Sequence, residues 1–258
     1  MTSSIAAVEP GLLLAGFAIL MLAGVVKGLI GMGLPTVGVG LLSLATSPAE
    51  AAAVLILPAA LTNLWQYFTG PRVVATARRF SWMMAAVVAG TLLGGLALGG
   101  LTSPAAQPML GATLLLYGGL GLSAVPLQLP ARTEPWLSPV MGLLTGLVTG
   151  TTGVSAMPSA PYLQAIGLNR DDLVQALGLT FTVATFALAV VLAKPGDTGA
   201  VLANPALLIA SVAALLPAFL GMQIGQWVRR AVSPTVFRRI FFAGLAVLGA
   251  YMLARGLI

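Results

Sequence analysis

The sequence contains no cysteine and no histidine in its 258 residues. These absences exclude disulfide bonds, thiolate nucleophiles, imidazole acid–base catalysis and the zinc or haem sites that need such ligands. Charged side chains are also scarce, at 7% of the sequence, whereas soluble domains carry about a quarter. A water-soluble surface of ordinary composition is therefore excluded.

Hydrophobic residues make up 59% of the chain, and the mean hydropathy is +1.03. Apolar stretches long enough to cross about 30 Å of hydrocarbon recur along the whole length, which predicts one transmembrane domain over residues 1–258. We expect helices, because backbone groups in lipid need partners within their own segment and the alternating strands of a barrel are missing. The predicted spans are residues 10–32, 49–69, 81–100, 104–125, 136–152, 171–193, 204–226 and 236–257.

Two further stretches, residues 34–48 and 151–169, are short and rich in glycine, proline, serine and threonine. Such backbone survives at membrane depth only where protein surrounds it or where it lines a wet cavity. Gly24-Val-Val-Lys27-Gly28 precedes the first stretch, and the similar Gly142-Leu-Leu-Thr-Gly146 precedes the second, about half a chain later. This spacing is typical of a duplicated transporter and predicts repeats near residues 8–125 and 136–257.

Clusters of positive charge indicate how the repeats are oriented. The cations are Arg72, Arg78 and Arg79 in the first repeat and Arg229, Arg230, Arg238 and Arg239, one loop later, in the second. Because cationic loops stay in the cytoplasm, equivalent loops of the two repeats face opposite sides. We therefore predict an all-α, polytopic protein of the cell inner membrane, with about eight long helices and two short broken or re-entrant segments in two inverted repeats. We interpret the arginines as topology determinants that face the anionic lipid of the bilayer, so we expect no nucleic-acid partner.

Lys27 is the only ionisable side chain within the first predicted span. A buried ammonium costs several kcal/mol unless it is paired or solvated, so Lys27 is a candidate functional residue. Gly31, Gly33 and Pro35 follow it and fit a broken helix whose free amides and positive end meet an anion. Two alternatives stay open. Lys27 could snorkel to the interface, and the small residues could serve only close packing and a kink.

Other polar residues are candidates to coordinate the oxygens of such an anion. They are Asn63 and Gln66 in the second long helix, Thr151 and Thr152 at the second break, and Tyr162 and Gln164 after it. Asn63 and Gln66 are three residues apart and therefore share a helix face. An interfacial position is the alternative for this pair, and hydroxyl bonding back to the helix is the alternative for the threonines.

Enzyme constellations are missing from this sequence. All six acidic residues lie in or beside predicted loops, so no two carboxylates are placed within a span for acid–base or metal chemistry. Serine has no histidine base, and Gly28 to Gly33 lack the Gly-Lys-Ser/Thr ending of a phosphate-binding loop. We expect a protein that is not an enzyme and has neither a cofactor nor a metal site.

The glycine–proline motifs are similar to those of one known family. Gly28-Leu-Ile-Gly-Met-Gly-Leu-Pro35 and Gly146 to Pro158, together with Leu57 to Gln66 and Pro161 to Gly167, resemble the TauE/SafE (TSUP) family of sulfite exporters and permeases. The resemblance covers nearly the full chain. It implies an inner-membrane transporter of sulfite, thiosulfate, sulfonates or sulfoacetate. The chain departs from the family's usual glycine runs at Met32 and at Thr151-Thr152.

Together these features predict a secondary transporter that moves a small sulfur-containing anion by alternating access, with the two breaks meeting near the midplane. A non-transporting membrane scaffold or sensor subunit is the alternative. Small residues from Gly90 to Gly100 indicate a helix face through which a homodimer could form.

Overall fold

The computed structural model describes residues 10–123, 128–194, 201–229 and 233–256, and within these ranges the regular elements are all helices. The α-helices are α1 (Pro10–Ile30), α2 (Leu34–Leu42), α3 (Pro48–Phe68), α4 (Val73–Arg79), α5 (Ser81–Leu96), α6 (Ala106–Ser123), α7 (Glu134–Thr152), α8 (Ser159–Ala165), α9 (Arg170–Ala193), α10 (Pro205–Ala213), α11 (Leu215–Val228) and α12 (Pro234–Gly256). Asp197, Arg230 and the ends of several predicted spans and repeats lie outside the described residues.

Within the described ranges, six stretches are long and apolar enough to cross a membrane. They are Leu13–Ile30, Pro48–Phe68, Ser81–Thr102, Arg170–Ala193, Pro205–Val228 and Thr235–Arg255. The protein is therefore a multi-pass, all-helical membrane protein. The predicted spans 104–125 and 136–152 coincide with α6 and α7, which lie outside this set of six. The predicted span 204–226 divides at Ala214, because Pro217 has no N–H to donate to the carbonyl of Ala213.

The two stretches predicted to be irregular each contain a short helix, α2 in the first and α8 in the second. Residues 31–33 follow α1 and residues 153–158 follow α7 as non-helical backbone, and we call them the first and second breaks. Gly31, Gly33 and Gly153 adopt φ values of 77°, 105° and 75°. This left-handed backbone ends α1 and α7 and is costly for residues that carry a Cβ atom.

Helices of the first half pack on helices of the second half in matched pairs. In the α1–α11 pair, a Cβ atom at Gly28 would lie 2.2 Å from the Met222 carbonyl oxygen. In the α5–α7 pair, a Cβ atom at Gly146 would lie 2.2 Å from the Val87 carbonyl oxygen. Glycine at these positions therefore lets two backbones touch. Later residues of one helix meet later residues of the other in both pairs, so each pair is parallel.

Gly90 and Gly94 take part in the α5–α7 contact, and Gly95 faces Val191 of α9. The start of the face predicted for a homodimer is thus covered within the chain. The prediction of that face is wrong for these glycines because the chain's own helices need the same close approach.

The two remaining pairs, α3–α9 and α6–α12, are antiparallel. Near the end of α3, Gln66 donates to the Val174 carbonyl in the first turns of α9, at 2.7 Å. In the other pair, Gly111 near the start of α6 approaches Leu253 near the end of α12. Each of these two pairs thus joins a helix of the first half to a helix of the second half that runs in the opposite direction.

Two salt bridges mark one end of the bundle, which we call the charged end. Arg79 of α4 binds Glu134 of α7 through two contacts, at 2.6 and 2.7 Å, and Arg72 binds Asp172 of α9 at 3.3 Å. The hydrogen bond to Glu134 raises the pKa of Arg79, so its guanidinium stays protonated. Exposed tryptophans at the ends of helices here form an aromatic belt of the kind found at a membrane surface. They are Trp65, Trp82, Trp136 and Trp227.

The opposite end carries the connector between α2 and α3. Thr46 and Glu50 line a groove there with Leu13 and Phe17, which are in the first turns of α1. The short α2 therefore returns the chain from the first break toward the end at which α1 begins.

Candidate anion-binding site

Lys27 is buried inside the protein, with 4% of its surface exposed. Its ammonium donates a hydrogen bond to Oδ1 of Asn63, which lies in α3 and is completely buried. Both salt bridges among the described residues involve arginines at the charged end, and neither includes Lys27. The lysine thus has a neutral partner in that part of the chain, and its positive charge is not cancelled there. This burial also answers the snorkelling alternative, since the ammonium does not reach the bilayer surface.

The amide nitrogen of Asn63 has no hydrogen-bond partner in the described structure, although it is buried. The lysine donor fixes the amide orientation, because Oδ1 must face Nζ and Nδ2 must then point elsewhere. Buried polar groups are normally satisfied, and leaving one unpaired costs about 1–3 kcal/mol. Lys27 and Asn63 therefore place a lysine amine and a spare N–H donor side by side, a combination that suits a small oxyanion.

The first break begins one turn after Lys27, where the Gly31 amide donates to the Lys27 carbonyl at 2.8 Å. Gly31 lies against Val174 of α9, and Gly33 lies against Val26 and Phe241. Pro35 occupies the first turn of α2 and is buried. The structure thus brings Lys27, Asn63 and the first break together. The sequence predicted that the charge of Lys27 lies beside irregular backbone.

Gln66, which was predicted to share a helix face with Asn63, has a different partner. Its side chain donates to the Val174 carbonyl and so joins α3 to α9. From α9, Gln175 donates to the Tyr67 carbonyl at 2.9 Å and accepts from the Arg72 amide at 2.9 Å. These neutral bonds and the two salt bridges tie the halves together at the charged end.

The threonines of the second break bond back to their own helix. Thr151 donates to the Leu147 carbonyl at 2.9 Å, and Thr152 donates to the Val148 carbonyl at 2.6 Å. Thr152 also accepts from the Val154 amide, at 3.2 Å. The structure therefore displays the alternative interpretation of these hydroxyls, because each donates to a carbonyl one turn earlier in α7.

A small cavity lies between α2, α3, α7 and α9, with a volume of about 10 Å³. Such a space is near the minimum for one water molecule, about 10–15 Å³. Its lining is mostly apolar, and the polar side chains on it are Thr149, Ser155 and Thr185. The sequence places Thr149 and Ser155 among the hydroxyl residues that crowd the second irregular stretch, whereas nothing in the sequence around Thr185 singles it out.

The two breaks start at different levels of the bundle but border one cavity. The start of the first lies beside Val174, whose carbonyl accepts from Gln66 near the end of α3, whereas Gly153 of the second lies beside Ala52 near the start of α3. At about 1.5 Å of rise per residue, Gln66 and Ala52 are about 20 Å apart along α3. Pro35, which follows the first break, lines the small cavity together with Gly153. That the breaks meet near the midplane stays a prediction.

Tyr162 and Gln164 also lie apart from Lys27. Tyr162 is buried and shares a 2.6 Å hydrogen bond with Ser138 of α7. Gln164 is exposed and lines an open groove at the charged end, together with Arg238. Of the ten predicted residues, Lys27 and Asn63 form a cluster with those of the first break. The predicted residues outside this cluster lie apart from it in several places.

In the part of the chain that the structure describes, no three acidic side chains come together in a way that could hold a metal ion. Lys27 and Asn63 themselves offer electrostatic attraction and hydrogen-bond donors. A buried ammonium, an amide donor and a helix break suit reversible binding of a small anion.

The comparison with known families agrees with this geometry. No curated protein and no solved structure matches the chain. The family model described as sulfite exporter TauE/SafE matches residues 16–252, which is nearly the whole chain. This match confirms the resemblance drawn from the glycine–proline motifs, and the chain belongs to the TauE/SafE sulfite exporter family.

Proposed function

We propose that this protein is a secondary transporter that carries a small sulfur-containing anion, such as sulfite, thiosulfate or a sulfonate, across the cytoplasmic membrane. The observation that carries the proposal is the buried Lys27 ammonium with a neutral asparagine as its partner. A lysine needed only for stability would be expected to have a carboxylate beside it, because an unneutralised buried charge is costly. A site that binds and releases anions needs that charge free.

The helix arrangement supports transport by two inverted repeats. The antiparallel α3–α9 and α6–α12 pairs and the parallel α1–α11 and α5–α7 pairs are the pattern expected when equivalent helices are related by inversion. In this proposal, movement of one repeat against the other exposes Lys27 to each side in turn. The charged end faces the cytoplasm, because its loops carry most of the arginines.

Closure at the charged end is also consistent with alternating access. The contacts of Gln66, Gln175, Arg72 and Arg79 all join the first half to the second at this end. Exposed ion pairs contribute only about 0.2–1 kcal/mol each, so thermal motion can break them. The proposed cycle therefore opens this end by exchanging these weak contacts for water.

Replacement of Lys27 by methionine tests the proposal. Lys27→Met should abolish sulfite or sulfonate flux in proteoliposomes, because the site loses its charge. Lys194→Met is the matched control, since Lys194 is exposed at the end of α9 and is the only other lysine in the chain. It should leave flux within about twofold of wild type, as expected for a solvated surface charge.

The Lys27→Met change also leaves the Asn63 oxygen without its donor, so the fold needs a separate check. The double variant Lys27→Met/Asn63→Leu removes both polar groups and should be monodisperse in detergent while remaining inactive. Normal flux in either folded variant would overturn the proposal. Absence of counterflow with every anion tried on the wild-type protein would favour the scaffold or sensor alternative.

A further inference from the structure

An open groove of about 730 Å³ lies at the charged end, between α6, α8 and α12. Its polar lining includes Gln128, Gln164 and Arg238, and its apolar lining includes Tyr117 and Phe242. The backbone amide of Leu129 donates to the Ala165 carbonyl at 2.9 Å and closes one side. The groove is several times larger than any sulfur oxyanion and is open to solvent.

The charge in this groove is positive. Arg238 lines it, and no carboxylate belongs to its described lining. Elsewhere at the charged end, Arg72 and Arg79 are paired with Asp172 and Glu134. Arg238 makes no salt bridge to the acidic groups that the structure describes. Its charge is therefore available to attract anions from the solvent.

The floor of the groove touches the first break. Tyr117 is buried, and its hydroxyl donates to the sulfur of Met32 at 3.1 Å. Met32 is the central residue of the break that starts one turn after Lys27. The ring of Phe242 packs edge-on against Tyr117 at 5.2 Å and covers the same floor. One layer of side chains thus separates the groove from the backbone beside the lysine.

We propose that this groove is an outer anion site, in which Arg238 gathers the transported anion before it passes Tyr117 and Met32 to reach Lys27. The inference rests on the proposed transport function. It gives Arg238 a role beyond setting topology and makes Tyr117 the barrier on the path. The amide of Gln164 supplies a neutral donor beside Arg238, which suits an anion held briefly at a wide opening.

The absence of cysteine allows the electric field of the groove to be measured independently of transport. A Gln164→Cys variant would be labelled with an anionic and a cationic methanethiosulfonate, and the ratio of the two rates would be determined. Adding Arg238→Gln should lower the ratio of anionic to cationic labelling rates by about fivefold or more, since removing one positive charge slows the anionic reagent and speeds the cationic one. Adding Arg239→Gln is the matched control, because Arg239 is the next residue but does not line the groove. It should change the ratio by less than about twofold.

A second measurement tests the barrier. The thiol of Met32→Cys should react slowly with a membrane-impermeant reagent, because Met32 is buried. Adding Tyr117→Ala should accelerate labelling from the charged end by about tenfold or more, whereas Tyr117→Phe, which keeps the ring, should accelerate it far less. Monodispersity in detergent verifies that each variant is folded.

These results separate the two proposals. Two outcomes would overturn the groove proposal even if Lys27→Met abolishes flux. One is a rate ratio at position 164 that does not change when Arg238 is replaced. The other is a labelling rate at position 32 that is the same with and without the Tyr117 ring. Normal flux in Lys27→Met would overturn the transport proposal, whatever the labelling rates. If both stand, Arg238→Gln should raise the KM for anion offered at the charged end severalfold and leave kcat nearly unchanged.

Discussion

The two halves of the molecule share a helical plan but differ in the side chains at equivalent places. When Gly24 and Gly28 are aligned with Gly142 and Gly146, Lys27 corresponds to Thr145. When the helix caps Ser47 and Asn169 are aligned, Asn63 corresponds to Thr185. The first half therefore has a lysine and an asparagine where the second half has two hydroxyl side chains.

The structure around these pairs differs in the same way. Asn63 bonds to Lys27 across two helices, whereas Thr185 donates to the Phe181 carbonyl of its own helix at 2.7 Å. Thr145 is fully buried, and its hydroxyl has no partner in the described structure. Of these two aligned pairs, only the one in the first half contains an ionisable side chain.

The largest expected effect comes from making the first-half pair neutral overall. Asn63→Asp is nearly isosteric and would place a carboxylate against Lys27. It should reduce anion affinity by about 100-fold or more, since about 3 kcal/mol of charged hydrogen bonding is lost and the new carboxylate repels the anion. The measurement is KM in proteoliposomes together with thermal stability in detergent, which should be kept or raised.

The second-half equivalent supplies the control for this prediction. Thr185→Val removes a hydroxyl that bonds only within α9, so its effect on KM should stay below about threefold. Unaltered transport by Asn63→Asp would show that the free charge of Lys27 is not used. An equally severe loss in Thr185→Val would remove the functional difference between the halves.

A smaller effect, equal in both halves, is expected from the shared scaffold. Gly28→Ala and Gly146→Ala would each place a methyl group 2.2 Å from a facing backbone oxygen. Each should destabilise the protein by about 1–3 kcal/mol, because neither backbone can move without disturbing its helix pair. The melting temperature in detergent measures this loss.

Gly119→Ala is the matched control, since Gly119 lies on α6 with open space around its Cβ position. It should be neutral or stabilising, by about 0.5–1 kcal/mol, as alanine favours helix over glycine. A large loss in Gly28→Ala with none in Gly146→Ala would show that the two halves do not share one packing scheme.

Much of the fold could be predicted from the sequence, because long apolar segments in lipid must be helical. The lysine site was also predictable, since a cation in a span with no other charge needs a special environment. Asn63 and Gln66 came from the same reasoning about polar groups in helices, but in the structure they have different partners, Lys27 and Val174. Helix periodicity places both on one face without saying which neighbouring helix each one meets.

The lengthwise positions of the two breaks could not be predicted from the sequence, because they depend on how the helices pack against one another. The groove lined by Arg238 could not be predicted from the sequence either. Arg238 and Arg239 are identical in type and adjacent, and only the packing of α12 on α6 and α8 puts one of them in the groove.

The most direct test of the account is the nitrogen resonance of Lys27 itself. The protein has two lysines, so ¹⁵Nζ-lysine labelling in lipid bilayers gives two side-chain signals that Lys27→Met assigns. Titration with sulfite or a small sulfonate should shift the Lys27 signal in a saturable way and leave the Lys194 signal unchanged. An unmoved Lys27 signal during demonstrable transport of the same anion would contradict the account.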